Sequence, residues 1–327
     1  MKIIFLLLLL EIAAVSGFKC GISPLATKKY APIIGNDRYF LDENVPRVLG
    51  GEESLEHRWP WIVSFGFNEK YILERELDKK LNLSSKHFIH DCTATIIHEK
   101  WILLAEHCVM YAKKKIPYLT VGVGSIEFGK QIFHKIKDIY EFPHFNFHDL
   151  SFDIALIELE KPLVFDENVS PICLAKNDGI KFGEFVVTVG WGLVFNYVKA
   201  EFTYTRWVQP NHFLLENSDS EILKENILMI SKYSECFHIL KSQGTMNPSD
   251  YLLCHHGINN GVSNGDSGGP MMAFRNGKWI QVGVASNAIM KIRLNNRLDV
   301  GTTAVYSRVN YFCDWIANTT ENEVFCH

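Results

Sequence analysis

Gly265-Asp266-Ser267-Gly268-Gly269-Pro270 sets one serine between an acid and two glycines. A hydroxyl held on a tight turn, with backbone N–H groups aimed at a developing oxyanion, is what nucleophilic attack on a carbonyl requires. Glycines let the main chain approach the reacting group because they carry no Cβ. Asn264-Gly265 alone would read as an ordinary turn; the whole string reads as a nucleophile. Serine needs a base, and most of the 13 histidines need no chemical role. His107 stands apart, because it closes Trp101-Ile102-Leu103-Leu104-Ala105-Glu106 at a strand end. Cys108 follows it, and Cys92 precedes it at a distance suited to a disulfide loop. The base needs a carboxylate to hold its tautomer. Asp153 opens the apolar run Ile154 to Leu159, which draws its side chain inward. A buried acid without a partner is costly, and pairing with His107 removes that cost.

The elements that must position these groups are short. Trp61 to Phe65, Thr93 to Ile97, Trp101 to Leu104, Ile154 to Leu159, Val186 to Val189 and Trp279 to Ala285 are apolar runs of strand length, many bounded by Gly, Pro, Asn or Asp. Many short strands without long helical periods predict an all-β fold. Only Tyr311 to Ala317 reads as a helix, at the C-terminus. Residues 18 to 47 show no clear period, and the polar stretches Asn68 to Asp91 and Leu193 to Asn217 read as surface loops.

Trp101 to Cys108, Asp153 to Leu156, Gly190-Trp191-Gly192 and Gly265 to Pro270 together resemble the signature blocks of trypsin/chymotrypsin-like serine proteases, in the family order His, Asp, Ser. Arg47-Val48-Leu49-Gly50-Gly51 resembles the activation site, and Val305 to Val309 the last strand. The resemblance runs from about 47 to 317. It implies two six-stranded antiparallel β-barrels with a short C-terminal helix, and a triad of His107, Asp153 and Ser267 in the cleft between them. It also implies an oxyanion hole from the N–H groups of Gly265 and Ser267, and Ser286 as an orienter of Asp153. Cleavage after Arg47 would free the Val48 ammonium to pair with Asp266. The implied domains are a leader at 1–17, a propeptide or light chain at 18–47, and a protease domain at 48–327. No cofactor or metal is implied.

The resemblance implies Cys92–Cys108, Cys236–Cys254, and Cys20–Cys173 as the light-chain tether, leaving Cys313 and Cys326 to staple the tail to the terminal helix. Two usual pairs are absent. Val186 and Ala273 take one pair's positions; Ser263 stands at one end of the other, with no cysteine between Asn287 and Ala304. That loss predicts less constrained loops around the specificity pocket. Relatives that cut after Arg or Lys carry an Asp six residues before the nucleophile, where this chain has Gly261. Ala288 and Ala304 replace wall glycines, and their methyls predict preference for a small or medium apolar residue; Asn287 replaces a Trp that in the family flanks the pocket and supports the substrate backbone. Asp299, read as lying on an unstapled loop, is the alternative source of a pocket charge. Glu106 replaces a small residue beside the histidine.

Hydrophobic residues make up 47% and charged residues 21%, which excludes a disordered chain, and a net charge of -4 points to no nucleic-acid partner. Lys2, the apolar run Ile3 to Leu10 and the small residues Ala13, Ala14, Ser16 and Gly17 form a secretory leader pattern, interrupted by Glu11 too early to span a membrane. Eight cysteines and the acceptor triplets at Asn82, Asn168 and Asn318 agree with a secreted, extracellular protein. The partners expected are a protein or peptide substrate, an activating trypsin-like protease and protein inhibitors. The rival class is a protease-like secreted binding protein with weak or vestigial chemistry; loss of His107 or Ser267 would have marked it. An α/β-hydrolase is excluded by the triad order.

Overall fold

The computed structural model describes residues 19–34, 51–75, 88–199, 213–218, 220–241, 250–258, 260–295 and 297–327. One antiparallel sheet is built from β2 (Ile62–Asn68), β3 (Phe88–Ile96), β4 (Trp101–Leu104), β5 (Leu119–Val123), β6 (Ile132–His134), β7 (Ile136–Glu141) and β8 (Ala155–Leu159). Its order is β6-β5-β2-β3-β4-β8-β7. The two end strands are joined by the single residue Lys135, so the sheet has to curl on itself. Curling explains the apolar runs. β4 and β8 are buried at every position because one face fills the curl and the other packs against neighbouring structure.

The second sheet runs β1-β13-β10-β15-β16-β17-β14. It comprises β1 (Glu52–Glu53), β10 (Phe185–Gly190), β13 (Lys224–Met229), β14 (Leu252–Ile258), β15 (Pro270–Arg275), β16 (Lys278–Asn295) and β17 (Arg297–Arg308). The two-residue β9 (Cys173–Leu174) joins it by a parallel pairing with Ile280 and Gln281. The fold is therefore two curled, antiparallel seven-stranded half-barrels. The expected six strands per barrel miss short additions such as β1 and β9, which are too brief to show any hydrophobic period. Thr95 Oγ1 donates to Gln281 Oε1 across the sheets at 2.6 Å, and Trp61, Trp191 and Trp279 are buried in a core shared by both.

Among the described residues there are four short α-helices: α1 (Pro24–Tyr30), α2 (Glu69–Glu74), α3 (Tyr233–Lys241) and α4 (Cys313–Thr319). α4 is the expected terminal helix. α1 lies in a segment whose sequence shows no clear period, and α2 corrects the reading of Asn68 to Asp91 as a loop. Ser23 caps α1 by accepting from Ala26 N at 3.2 Å, with Pro24 at the first helical position. Ala26 and Tyr30, four residues apart, bury its inner face, and Ile34 in the turn that follows is buried with them. The stretch from Leu193 to Asn217, expected as a loop, contains the hairpin β11 (Val194–Lys199) and β12 (Phe213–Ser218).

α1 docks through one buried carboxylate. Glu225 on β13 accepts from Lys29 Nζ and Tyr30 OH at 2.7 Å, Ser54 Oγ at 2.8 Å and Trp59 Nε1 at 2.6 Å, and pairs with Arg58. Burial alone would raise its pKa. The hydrogen bonds from Lys29, Trp59 and Tyr30 outweigh that effect and hold it below the usual carboxylate range.

All four expected disulfides are formed: Cys20–Cys173, Cys92–Cys108, Cys236–Cys254 and Cys313–Cys326. At one missing bridge, Val186 and Ala273 are fully buried in a single apolar cluster on adjacent strands. At the other, no loose loop results. β16 and β17 pair without interruption from Asn287↔Val305 to Asn295↔Arg297, so a ladder of main-chain hydrogen bonds holds the segment a disulfide would have pinned. Asp299 lies on β17 opposite Arg293, which corrects its expected place on a loop.

Candidate active site

β4 ends at Leu104, and the chain turns through a 3₁₀ turn at Glu106–Cys108 that presents His107. Cys92–Cys108 ties this turn to β3. Asp153, wholly buried, precedes β8, the neighbour of β4. His107 Nδ1 lies 2.6 Å from Asp153 Oδ2, and His107 N donates to Asp153 Oδ1 at 2.9 Å. Ser286 Oγ donates to Oδ2 at 2.6 Å, and Ser307 Oγ to the Asp153 carbonyl at 2.8 Å. An ionised carboxylate only accepts, so Nδ1 carries the proton and Nε2 is left as a lone-pair base. Burial disfavours the charged ring, but the hydrogen bond and charge of Asp153, with Asp91, prevail and raise the His107 pKa above its ordinary value.

Ser267 is partly exposed on the loop between Asp266 and Gly268. Its carbonyl accepts from Thr93 N at 2.9 Å, docking the loop on β3. Gly268 has φ +79, and a Cβ there would lie 2.4 Å from Thr93 O and 3.1 Å from Ala105 N. Only glycine lets the serine loop press against the ends of β3 and β4, where the His107 turn begins. The Gly265 carbonyl accepts from Thr93 Oγ1 and from His90 Nε2, each at 2.9 Å, which fixes that peptide. His90 and Thr93 were not legible as site residues: an alternating strand beside a cysteine carries no mark of what its side chains will meet.

Asp266 is buried beneath the loop. Oδ1 accepts from Gly192 N and Oδ2 from Ser263 N, both at 2.8 Å, with Ser263 Oγ 3.3 Å away. Ser263, at a vacant cysteine position, thus hydrogen-bonds the carboxylate. Burial raises the Asp266 carboxyl to about 6 against these bonds. No cation pairs with it among the described residues. Arg47 and Val48 lie outside them.

Glu106 is buried, and its Oε2 accepts from Phe142 N at 2.6 Å, just past β7. Burial pushes its carboxyl up to about 8. At the pocket positions, Ala288 and Ala304 stand opposite each other on β16 and β17, and Asn287 follows a bulge beside Ser286. A Cβ on Gly261 would lie 2.3 Å from Thr302 Cγ2, so the space a larger residue would need is filled by a buried threonine. Thr302 Oγ1 has no hydrogen-bond partner among the described residues.

Cys92, His107 and Cys108 cluster with donor atoms within 4.8 Å, but both sulfurs are spent in the disulfide, so the group is no metal centre. Of the acceptor triplets, Asn318 is exposed on α4, Asn168 contacts His57, and Asn82 lies outside the described residues. No helix among the described residues is long and apolar enough to cross a membrane.

A hydrogen-bonded His–Asp pair, a serine on a glycine loop and two curled antiparallel sheets together define a serine-protease domain. The family model described as Trypsin matches residues 48–316, and the chain belongs to that family. It is 29% identical over 271 residues to a mouse (Mus musculus) protein named Serine protease 28, a match covering 82% of this chain and 87% of the relative.

Proposed function

We propose that the chain is a secreted serine endopeptidase, made with a leader at 1–17 and activated by cleavage after Arg47. The observation that carries this reading is the pair of hydrogen bonds from His107 to Asp153, which leaves Nε2 free to act as base beside the Ser267 loop. Ser267 Oγ attacks the peptide carbonyl while His107 Nε2 takes its proton, and the N–H groups of Gly265 and Ser267 receive the oxyanion. The imidazolium returns the proton to the leaving amine. Water then attacks the acyl-enzyme by the same route and regenerates the serine. The newly freed Val48 ammonium pairs with Asp266, meeting a carboxylate that, among the described residues, accepts from uncharged donors alone.

The small residues Ala288 and Ala304, together with Thr302 beside Gly261, support cleavage after a small or medium apolar residue. They disfavour Arg or Lys. The activator is then a separate trypsin-like protease. Purified zymogen is to be cleaved at Arg47 with trypsin and treated with a fluorophosphonate probe. Labelling that appears on cleavage and is absent from Ser267→Ala is the expected result. No labelling with Val48 shown as the new N-terminus overturns the enzyme reading and leaves a protease-like binding protein.

A further inference from the structure

His255 lies on β14, is 2% exposed and takes no part in acyl transfer. Its two ring nitrogens face two main-chain carbonyls. Nδ1 is 3.0 Å from Met229 O at the end of β13, and Nε2 is 3.1 Å from Asn260 O. The ring has this room because the next residue on its side of the strand is Gly257. A Cβ there would lie 2.9 Å from Nε2 and 3.0 Å from Cε1.

A carbonyl oxygen only accepts, and a neutral imidazole has one N–H, so the ring serves one carbonyl and turns a lone pair on the other. Met229 is already paired with Phe185 in the β10–β13 ladder, whereas among the described residues the Asn260 carbonyl has no donor but His255. The proton therefore belongs on Nε2. A second proton is disfavoured. Met229, Asn260 and Ala304, opposite on β17, are uncharged, no carboxylate faces the ring among the described residues, and the titratable neighbour His256 would add like charge. Burial holds the His255 pKa below its ordinary value against the pull of the two carbonyls.

Asn260 leads directly into Gly261 at the base of the pocket. Its side chain reaches the same strand as the ring does, with Nδ2 donating to Ile227 O at 3.1 Å and Oδ1 accepting from Asn226 at 2.6 Å. Three residues on stands Ser263, at one end of a missing disulfide. The β16–β17 ladder secures the far end of that bridge, and the near end needs a tie of its own.

We infer that His255 is a positioning residue for the pocket floor: its Nε2–H holds Asn260 O, and with it Gly261, in place of the absent disulfide, and acid releases the tie. The use of that floor rests on the proteolytic reading above. A proton is bound less readily by the buried ring than by a ring in water, so proton uptake favours the loosened loop. The tie is complete above the ordinary 6.5 and is lost as the pH falls toward the lowered value of the ring.

An asparagine amide takes the place of Nδ1 and a glutamine amide that of Nε2, so His255→Asn and His255→Gln separate the two bonds. Both variants and wild type are to be activated with trypsin and assayed on a short peptide ending in alanine p-nitroanilide. His255→Gln should keep KM within about twofold, while His255→Asn should raise it about tenfold with kcat little changed. A role in packing alone would move both alike. The second readout needs no catalysis: hydrogen exchange at the Gly261, Val262 and Ser263 amides, each protein carrying Ser267→Ala. At about pH 7.5 wild type and His255→Gln should be protected and His255→Asn should not; at about pH 5 wild type should lose protection and His255→Gln, which does not titrate, should keep it. If His255→Asn does not fold, the pH comparison of the other two decides alone. Equal behaviour of the folded variants in both readouts, or of wild type and His255→Gln across that pH range, overturns the tie. The expected exchange pattern without fluorophosphonate labelling of the activated chain upholds the tie and removes the protease reading instead.

Discussion

Asp153 and Asp266 are both buried carboxylates beside the nucleophile, yet they are satisfied in opposite ways. Asp153 accepts from a histidine ring that gains charge when protonated, from the same residue's N–H and from Ser286. Among the described residues, Asp266 accepts only from two main-chain N–H groups and the Ser263 hydroxyl. Desolvation prevails at Asp266 and lifts it to about 6. Of the two, and among the described residues, only Asp153 has a partner that can carry charge.

The sharpest way to break the comparison is Asp153→Asn. Its amide would present N–H where His107 needs an acceptor, turning the ring to the wrong tautomer, and kcat should fall about ten-thousandfold with the melting curve little changed, as in serine proteases of this kind. Retained turnover would remove Asp153 from the mechanism. Asp266→Asn should leave trypsin cleavage at Arg47 complete, but hold peptide hydrolysis at least about a hundredfold down, since the new ammonium is buried without its counter-charge. Normal activity would show that the ammonium docks elsewhere.

In the uncleaved chain, Asp266 should also shape stability against pH. Its folded value, about 6, lies above the ordinary 3.8. Folding therefore favours the protonated form: the stabilisation is complete below about pH 4 and lost as the pH rises through 6, about 3 kcal/mol in all. Thermal melts across that window should show the loss in wild type and not in Asp266→Asn. For His107 the sign concerns rate. Its pKa is raised, so the acid limb of kcat/KM should have its midpoint above the ordinary imidazole value of 6.5; a midpoint below it would contradict the Asp153 pairing.

Glu106 supplies a third carboxylate, with one N–H donor and a carboxyl at about 8. Its folded value is again raised, so its stabilisation is lost as the pH rises through 8. Glu106→Gln should keep activity near wild type and raise the melting temperature at pH 7 and slightly more at pH 9, with little change at pH 4, because the stabilisation is lost progressively from pH 4.5 upward.

The sequence made the chemistry more legible than the frame. His107, Asp153 and Ser267 each sit in a short, ordered block whose residue types have little purpose outside acyl transfer, whereas Ser286 was expected only through the family resemblance. α1 escaped because two turns of helix give hardly any period, although Ser23-Pro24 marks its start and Ala26 and Tyr30 its inner face. The β16–β17 hairpin escaped because a missing cysteine suggested slack, while the alternation in Ile289 to Leu294 already argued for a strand. Thr302 could not be found at all from one dimension: its meaning lies in the missing Cβ of Gly261, 41 residues earlier.

The docking of α1 has a practical consequence. Cleavage at Arg47 would leave Cys20–Cys173 as the covalent tie to residues 18–47, but the buried Glu225 also needs Lys29 and Tyr30 as well as Arg58 and Trp59. Reducing Cys20–Cys173 in the activated protein should leave the two pieces co-migrating in native gel filtration. Production of a chain beginning at Val48 should give aggregated material, which co-expression of residues 18–47 as a separate polypeptide would return to solution.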